Sequence, residues 1–169
     1  MRRMHNVITI RGANPDDAPD LARIYNHYIE NTVTTFETDP VPNAEMALRL
    51  RAIEDEKLPW FVAEREGKVS GYAYASKWKG RCAYRYSVET TVYLEKDALG
   101  LGIGRLLYTE LLEALRALSL HVAIGGIALP NERSVRLHEA MGFRKAAHFE
   151  EVGFKQNRWI DVGYWQKTL

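Results

Sequence analysis

The chain has 169 residues, 46% of them hydrophobic and 27% charged, with 23 Lys+Arg against 22 Asp+Glu for a formal net charge of +1. This balance predicts one globular domain spanning 1–169, cytoplasmic and unprocessed: no apolar run reaches the ~18 residues of a membrane span, and Arg2 and Arg3 are followed by no apolar signal core. Nucleic acid is disfavoured by the absence of a Lys/Arg run, and a disulfide or metal centre by the single Cys82 and the scattered His5, His27, His121, His138 and His148, which leaves small molecules as the expected partners and no metal.

No period repeats, and no Pro, Gly or Ser tract divides the chain. Val7 to Ala13 reads as a strand. Asn14 then offers a side-chain cap, Pro15 suits a first helical position, and Asp16 and Asp17 supply an acidic first turn. Ala18, Leu21, Ile24, Tyr25 and Tyr28 follow at helical spacing, up to Asn31. TVTTFETDPVP, rich in Thr and broken by prolines, is expected to be a loop at the lip of a pocket. Asn43 is read as the cap of a second helix reaching Glu54. WFVAE, a Glu66-Gly67-Lys68 turn and VSGYAYAS predict a hairpin, and YRYSVETTVYL a third strand of an antiparallel meander. After DALGLGIG comes a helix whose Leu106, Leu107, Leu111, Leu112, Leu115 and Leu118 are assigned to its buried face. Val122 to Leu129 reads as a buried strand and Asn131 to Met141 as a helix closed by Gly142. RKAAHFEEVGF and RWIDVGYWQ are terminal strands joined by Lys155-Gln156-Asn157. The expected class is α+β: a meander running into a strand, helix, strand, helix unit and a final hairpin.

Gly100, Gly102 and Gly104 alternate between a strand and the start of the leucine-rich helix. Such a loop presents bare backbone amides, and the positive end of the helix dipole adds to them, so it suits phosphate oxygens and a pyrophosphate in particular. Gly100-Leu101-Gly102 lacks the third glycine of a dinucleotide fingerprint, and no GK[ST] follows for a nucleoside triphosphate loop. The glycines alone also fit a flexible strand-to-helix turn with no ligand.

V-Y-L-x-x-x-x-x-G-x-G-x-G before a helix, followed by N-x-x-S-x-x-x-H-x-x-x-G-F at Asn131 to Phe143, resembles the coenzyme A motifs of the GNAT N-acetyltransferases. The resemblance implies the GNAT fold, a mixed and mostly antiparallel twisted sheet of about seven strands flanked by about four helices. It also implies acetyl-CoA as co-substrate, with Val92, Tyr93 and Leu94 pairing with pantetheine through backbone groups. Gly100, Leu101, Gly102, Ile103, Gly104 and Arg105 would hold the pyrophosphate, and Asn131 and Ser134 would hydrogen-bond the cofactor arm. One departure is Leu99, where the family usually has Gln or Arg; main-chain contacts are expected to preserve binding.

IYNHYIENTVTTFET, YASKWKGRCAYRYSVETTVYL, LPNERSVRLHEAMGF and VGFKQNRWIDVGYWQ resemble the phosphinothricin N-acetyltransferase branch over residues 5–167. That branch acetylates the α-amine of phosphinothricin, a glutamate analogue with a methylphosphinate side chain. The resemblance makes Glu89 and His138 the catalytic pair and implies a homodimer, for which the aromatic-rich final hairpin is a candidate interface. It places Phe36, Lys79, Arg81, Tyr84 and Val162 around the substrate, with Lys79 and Arg81 on its acidic side chain. Without the resemblance, Glu89 beside two threonines reads as a solvated carboxylate, His138 as a packed or capping histidine, and the aromatic Tyr72, Tyr74, Trp159 and Trp165 as packing.

The chemistry requires a base, because an amino acid's amine is largely protonated near neutrality. Glu89, with its pKa raised by apolar surroundings, is the candidate; His138 would steer the amine or protonate the departing thiolate. A backbone amide of Val92 to Leu94 would polarise the thioester carbonyl. The expected activity is direct acetyl transfer in a ternary complex. The alternatives are an N-acetyltransferase of methionine sulfone, methionine sulfoximine or another small amine, and a CoA-binding module without turnover.

Overall fold

The computed structural model describes residues 7–169; Met1 to Asn6, His5 among them, lie outside the described residues. Period-two runs of β-branched, aromatic and small residues build β1 (Ile8–Gly12), β2 (Trp60–Arg65), β3 (Lys68–Lys77) and β4 (Ser87–Leu94), and later β5 (Val122–Ala128), β6 (Arg144–Lys155) and β7 (Arg158–Thr168). Together they form one seven-stranded sheet in the order β1-β2-β3-β4-β5-β7-β6. Every neighbouring pair is antiparallel except β4 and β5, so the expected mostly antiparallel α+β architecture is what the chain adopts. The tight β2–β3 and β6–β7 connections use residue pairs in the left-handed region, Glu66 and Gly67 at φ 54° and 76°, Gln156 and Asn157 at 51° and 57°. Positive φ at both central positions matches the turn to the right-handed twist of the strands it joins.

Among the described residues, four α-helices cover the sheet: α1 (Ala18–Asn31), α2 (Asn43–Asp55), α3 (Ile103–Ala117) and α4 (Glu132–Ala140). Strand alternation assigns them to faces. Val62, Val69 and Tyr72 point to the face packed by Leu21, Ile24, Met46 and Leu50 of α1 and α2. Ala63, Ala73 and Val88 point to the face packed by Ile103, Leu107, Leu111 and Leu115 of α3. Burying each such large apolar side chain contributes roughly 1.5–3 kcal/mol, so α3 is seated firmly and holds the glycine loop ahead of it in a fixed place.

The entry to α1 is the one expected. Asn14 accepts from the Asp16 amide while the Asp17 carboxylate accepts from the Asn14 amide, across a short 3-10 turn at Pro15–Asp17. Asp17 also takes paired hydrogen bonds of 2.8 Å from Arg11, tying the turn to β1.

Several boundaries differ from expectation. Asn43 is the first residue of α2 rather than its cap, which is Pro42. The third meander strand begins at Ser87; a 3-10 turn over Cys82–Tyr84 occupies the stretch before it. Leu106 and Leu118 are 43% and 48% exposed. Leu106 stands one residue, and thus about 100° of helical rotation, from the inward Leu107, whereas Leu118 lies past the last residue of α3, at its C-cap.

The arrangement that positions the site lies at the parallel pair. β4 and β5 are paired only at Ser87/Val122, Val88/Ala123 and Glu89/Ile124. Beyond these, Thr90 to Leu94 and Gly125 to Ala128 separate, which leaves a cleft with unpaired backbone edges in the middle of a sheet.

Candidate active site

The splayed strands open two contiguous clefts, one of about 260 Å³ reaching Glu89 and His138 and one of about 380 Å³ reaching Leu99. Thr34, Val92, Tyr93, Asn131 and Ser134 border both, so one channel runs from Leu99, beside the glycine loop, to the Glu89 carboxylate. β3 occupies one edge of β4, while the edge facing β5 is free over Thr90 to Leu94 and can pair with an extended ligand. The Leu94 carbonyl is anchored from α1 by the Tyr28 hydroxyl at 2.6 Å.

At the outer end, Gly100 and Gly102 take φ of 81° and 80°, a conformation that side-chain-bearing residues adopt only with strain. Gly102 is the cap of α3, and its carbonyl accepts from the Arg105 and Leu106 amides. Among the described residues, the amides of Gly100 through Gly104 donate to no protein acceptor. A row of free donors at the positive end of a 15-residue helix is a built site for an anionic oxygen cluster. The residues therefore fit the pyrophosphate of a coenzyme A ester, with Leu99 contributing only apolar wall.

Glu89 sits at the point where β4 and β5 part, half-buried, and among the described residues it accepts no hydrogen bond and forms no ion pair. Burial pushes its carboxyl pKa up, partly offset by the Lys79 ammonium. A carboxylate with free lone pairs, raised basicity and a place in a cleft is equipped to take a proton.

His138, on α4, is 3% exposed. Its Nδ1 lies 2.8 Å from the Ser134 carbonyl, which can only accept, so Nδ1 carries the hydrogen. In the neutral ring Nε2 is then an acceptor, and the Tyr108 hydroxyl donates to it at 2.8 Å. Burial lowers the imidazole pKa, while the Ser134 carbonyl opposes that shift. Tyr108, on α3 and fully buried, also lies 3.3 Å from Thr90 Oγ1, and burial drives its phenol pKa well up. The result is a His138–Tyr108 pair rather than a lone imidazole.

Of the other expected residues, Phe36 and Val162 border the Glu89 cleft. Asn131 and Ser134 border it as well, but the Asn131 side chain is already engaged in capping α4 through the Ser134 amide at 3.2 Å. Lys79, Arg81 and Tyr84 lie on the exposed segment between β3 and β4, outside the cleft lining. Lys79 still reaches the site indirectly: its Nζ lies 5.0 Å from the Trp78 ring centroid, and Trp78 packs edge-on against Tyr164, a cleft residue.

Sequence reasoning missed Tyr108, Gly126 and Tyr164, while the pocket lip expected from TVTTFETDPVP is supplied by Thr34, Thr35 and Phe36. Tyr108 left one readable signal, a hydroxyl-bearing residue at an inward position of a leucine-rich helix, four residues past Gly104.

A channel leading from beside a helix-capping glycine loop, between splayed strands, to a half-buried carboxylate defines an acyl-CoA-dependent transferase, and the model of the acetyltransferase (GNAT) domain matches residues 10–163. The chain belongs to the GNAT family of acetyltransferases. It is 42% identical over 162 residues to a phosphinothricin N-acetyltransferase of Streptomyces viridochromogenes, covering 96% of this chain and 88% of that one. It is 33% identical to an L-methionine sulfoximine/L-methionine sulfone acetyltransferase of Salmonella typhimurium, covering 96% and 95%. A crystal structure of a phosphinothricin acetyltransferase from Sinorhizobium meliloti in complex with AcCoA superposes with a TM-score of 0.93 at 39% identity, covering 96% of this chain and 88% of that one.

Proposed function

We propose that the protein transfers acetyl from acetyl-CoA directly to the α-amine of phosphinothricin or a similar glutamate analogue. The observation that carries this reading is the unpaired, half-buried Glu89 carboxylate at the inner end of the acyl-CoA channel. Glu89 takes one proton from the ammonium, and the freed amine attacks the thioester carbonyl. The C–N bond forms and the C–S bond breaks. The second amine proton ends on the departing thiolate, and the neutral His138 with its Tyr108 hydroxyl is the pair able to carry it. A backbone amide on the free edge of Thr90 to Leu94 supplies the donor for the developing oxyanion. No covalent enzyme intermediate is needed. The likeness to phosphinothricin N-acetyltransferases supports the acceptor class.

A second reading, a methionine sulfone or sulfoximine acceptor, is favoured by the cleft wall, where Phe36, Val162 and Tyr164 supply apolar surface and the cations Lys79 and Arg81 stand outside. Thiol release from acetyl-CoA, followed with phosphinothricin, methionine sulfoximine, methionine sulfone, glutamate and a lysine-bearing peptide, separates the readings. On the first, phosphinothricin has the highest kcat/KM, and Arg81→Ala lowers it about tenfold while sparing the sulfone, the loss expected for one charge-assisted contact. An equal loss on both, or a higher rate with the sulfur compounds, overturns the anion-clamp role; no turnover with any acceptor overturns the activity.

The homodimer is also proposed. β6 is the sheet's outer strand, and Phe149, Val152, Phe154 and Trp159 of the final hairpin are 52%, 58%, 55% and 61% exposed. An apolar edge of this kind is normally covered, and a second copy is the self-complementary solution. Light scattering is expected to give twice the 19.4 kDa chain mass, and Phe154→Asp to return it to one; a monomeric parent protein would exclude it.

A further inference from the structure

Lys155 is a buried lysine that the proposed chemistry does not use. It ends β6, immediately before the Gln156-Asn157 turn, and its Nζ donates at 2.8 Å to the carbonyl of Thr35, 120 residues away in the chain. Thr35 belongs to the stretch 32–42, which has no helix or strand of its own yet supplies Thr34, Thr35 and Phe36 to the cleft wall. Such a stretch has no ladder to hold it, and its geometry depends on side-chain anchors.

Those anchors are present and converge on the same residues. The Thr35 hydroxyl meets the Tyr25 hydroxyl at 2.7 Å. Glu37 receives hydrogen bonds of 2.9 and 2.7 Å from the Arg49 guanidinium. Asn26 closes the far end with reciprocal bonds to the Val41 carbonyl and amide. On the hairpin side, the Phe36 ring lies where a side chain at Gly153 would stand: a Cβ there would fall 2.3 Å from two ring carbons. Tyr25, Asn26 and Arg49 tie the stretch to α1 and α2. The Lys155 bond and the Phe36–Gly153 contact instead join it across the cleft to the β6–β7 hairpin, whose Val162 and Tyr164 form the opposite wall.

We infer that Lys155 is a positioning residue for the acyl acceptor: by holding the Thr35 carbonyl it fixes Thr34 to Phe36 against the final hairpin, so the acceptor half of the cleft is formed before substrate arrives. The inference rests on reading this cleft as the amino-acid site. The ammonium bonds the Thr35 carbonyl and is favoured by the Glu37 carboxylate of the same stretch, so it joins hairpin and stretch as an apolar side chain could not, and its removal leaves a buried carbonyl without its donor. Preorganisation of this kind lowers the ordering cost of binding and appears chiefly in KM for the acceptor: the glycine loop ahead of α3 is independent of it, and of Thr34 to Phe36 only Thr34 also borders the coenzyme cleft.

The test compares Lys155→Met with Lys155→Arg in the full chain by amide hydrogen exchange and steady-state kinetics. In Lys155→Met, exchange at 34–37 is expected to rise about tenfold without a matching rise across β6 and β7, and acceptor KM to rise about tenfold with a smaller rise for acetyl-CoA, the size expected for one charge-assisted bond. Lys155→Arg, which retains donors, is expected to restore both. Unchanged exchange at 34–37 overturns the inference. So does failure of Lys155→Met to fold, or loosening of the whole hairpin, which would make the role structural. Exchange is read without substrate, so a parent protein that acetylates none of the acceptors refutes the function proposed above while the exchange result still decides the role of Lys155.

Discussion

Glu89→Gln is expected to lower kcat/KM for the amino-acid acceptor by about 10²–10⁴-fold, the span of general-base catalysis, with thermal stability and acetyl-CoA affinity retained. The substitution is nearly isosteric, and among the described residues the Glu89 carboxylate holds no partner whose loss would unsettle the fold. The pH profile gives the sharper result. A base works only when deprotonated, so activity falls as pH drops through its pKa. Burial raises the Glu89 pKa, which moves that acid limb upward from where an ordinary glutamate would place it. The Lys79 ammonium pulls the other way, so Lys79→Met should shift the limb further up. Burial moves the His138 pKa the opposite way, downward, so the response of the limb to Glu89→Gln decides which group supplies it. In Glu89→Gln the limb should vanish; an acid limb that persists unchanged would assign the base to another group.

The fold was legible wherever a residue type answers a local geometric demand. Gly100 and Gly102 announced a loop of bare backbone amides, and Asn14-Pro15-Asp16-Asp17 announced a capped start, because those demands are met within a few residues. Leu106 was misassigned because leucine is common on both faces of an amphipathic helix and composition cannot resolve a single 100° step, and Leu118 because the leucine pattern runs one residue past the helix end at Ala117. The splay of β4 from β5 left no mark in either strand's sequence, since three pairs and seven pairs of a parallel register need the same residue types. The catalytic candidates came from family resemblance rather than from pattern. A lone Glu in a strand and a lone His in a helix become chemical groups only once the topology brings β4, α3 and α4 to one cleft. Tyr108 shows the limit most clearly: it matters through a contact across 30 residues of sequence, which no periodicity encodes.

That contact gives the second large effect. Gly125→Ala is expected to lower kcat/KM about 10²-fold, although Gly125 touches neither the glycine loop nor the acceptor wall. Its backbone is ordinary β5 strand and would accept alanine without conformational strain. The obstacle is steric, because the added Cβ would fall 2.4 Å from His138 Nε2 and 2.7 Å from Cδ2. The ring has little room to retreat: Ser134 holds Nδ1, Tyr108 holds Nε2, and Phe143 packs edge-on with its centroid 5.2 Å away. Relief must come from rotation of His138 away from Tyr108 or displacement of α4 from β5, and overpacking of this kind costs about 1–3 kcal/mol. If the damage passes through the imidazole, Gly125→Ala combined with His138→Ala should be scarcely worse than His138→Ala alone, because residues that act as one unit are not additive. Full additivity in that double variant would place the effect in the β5 backbone and detach Gly125 from the His138–Tyr108 pair.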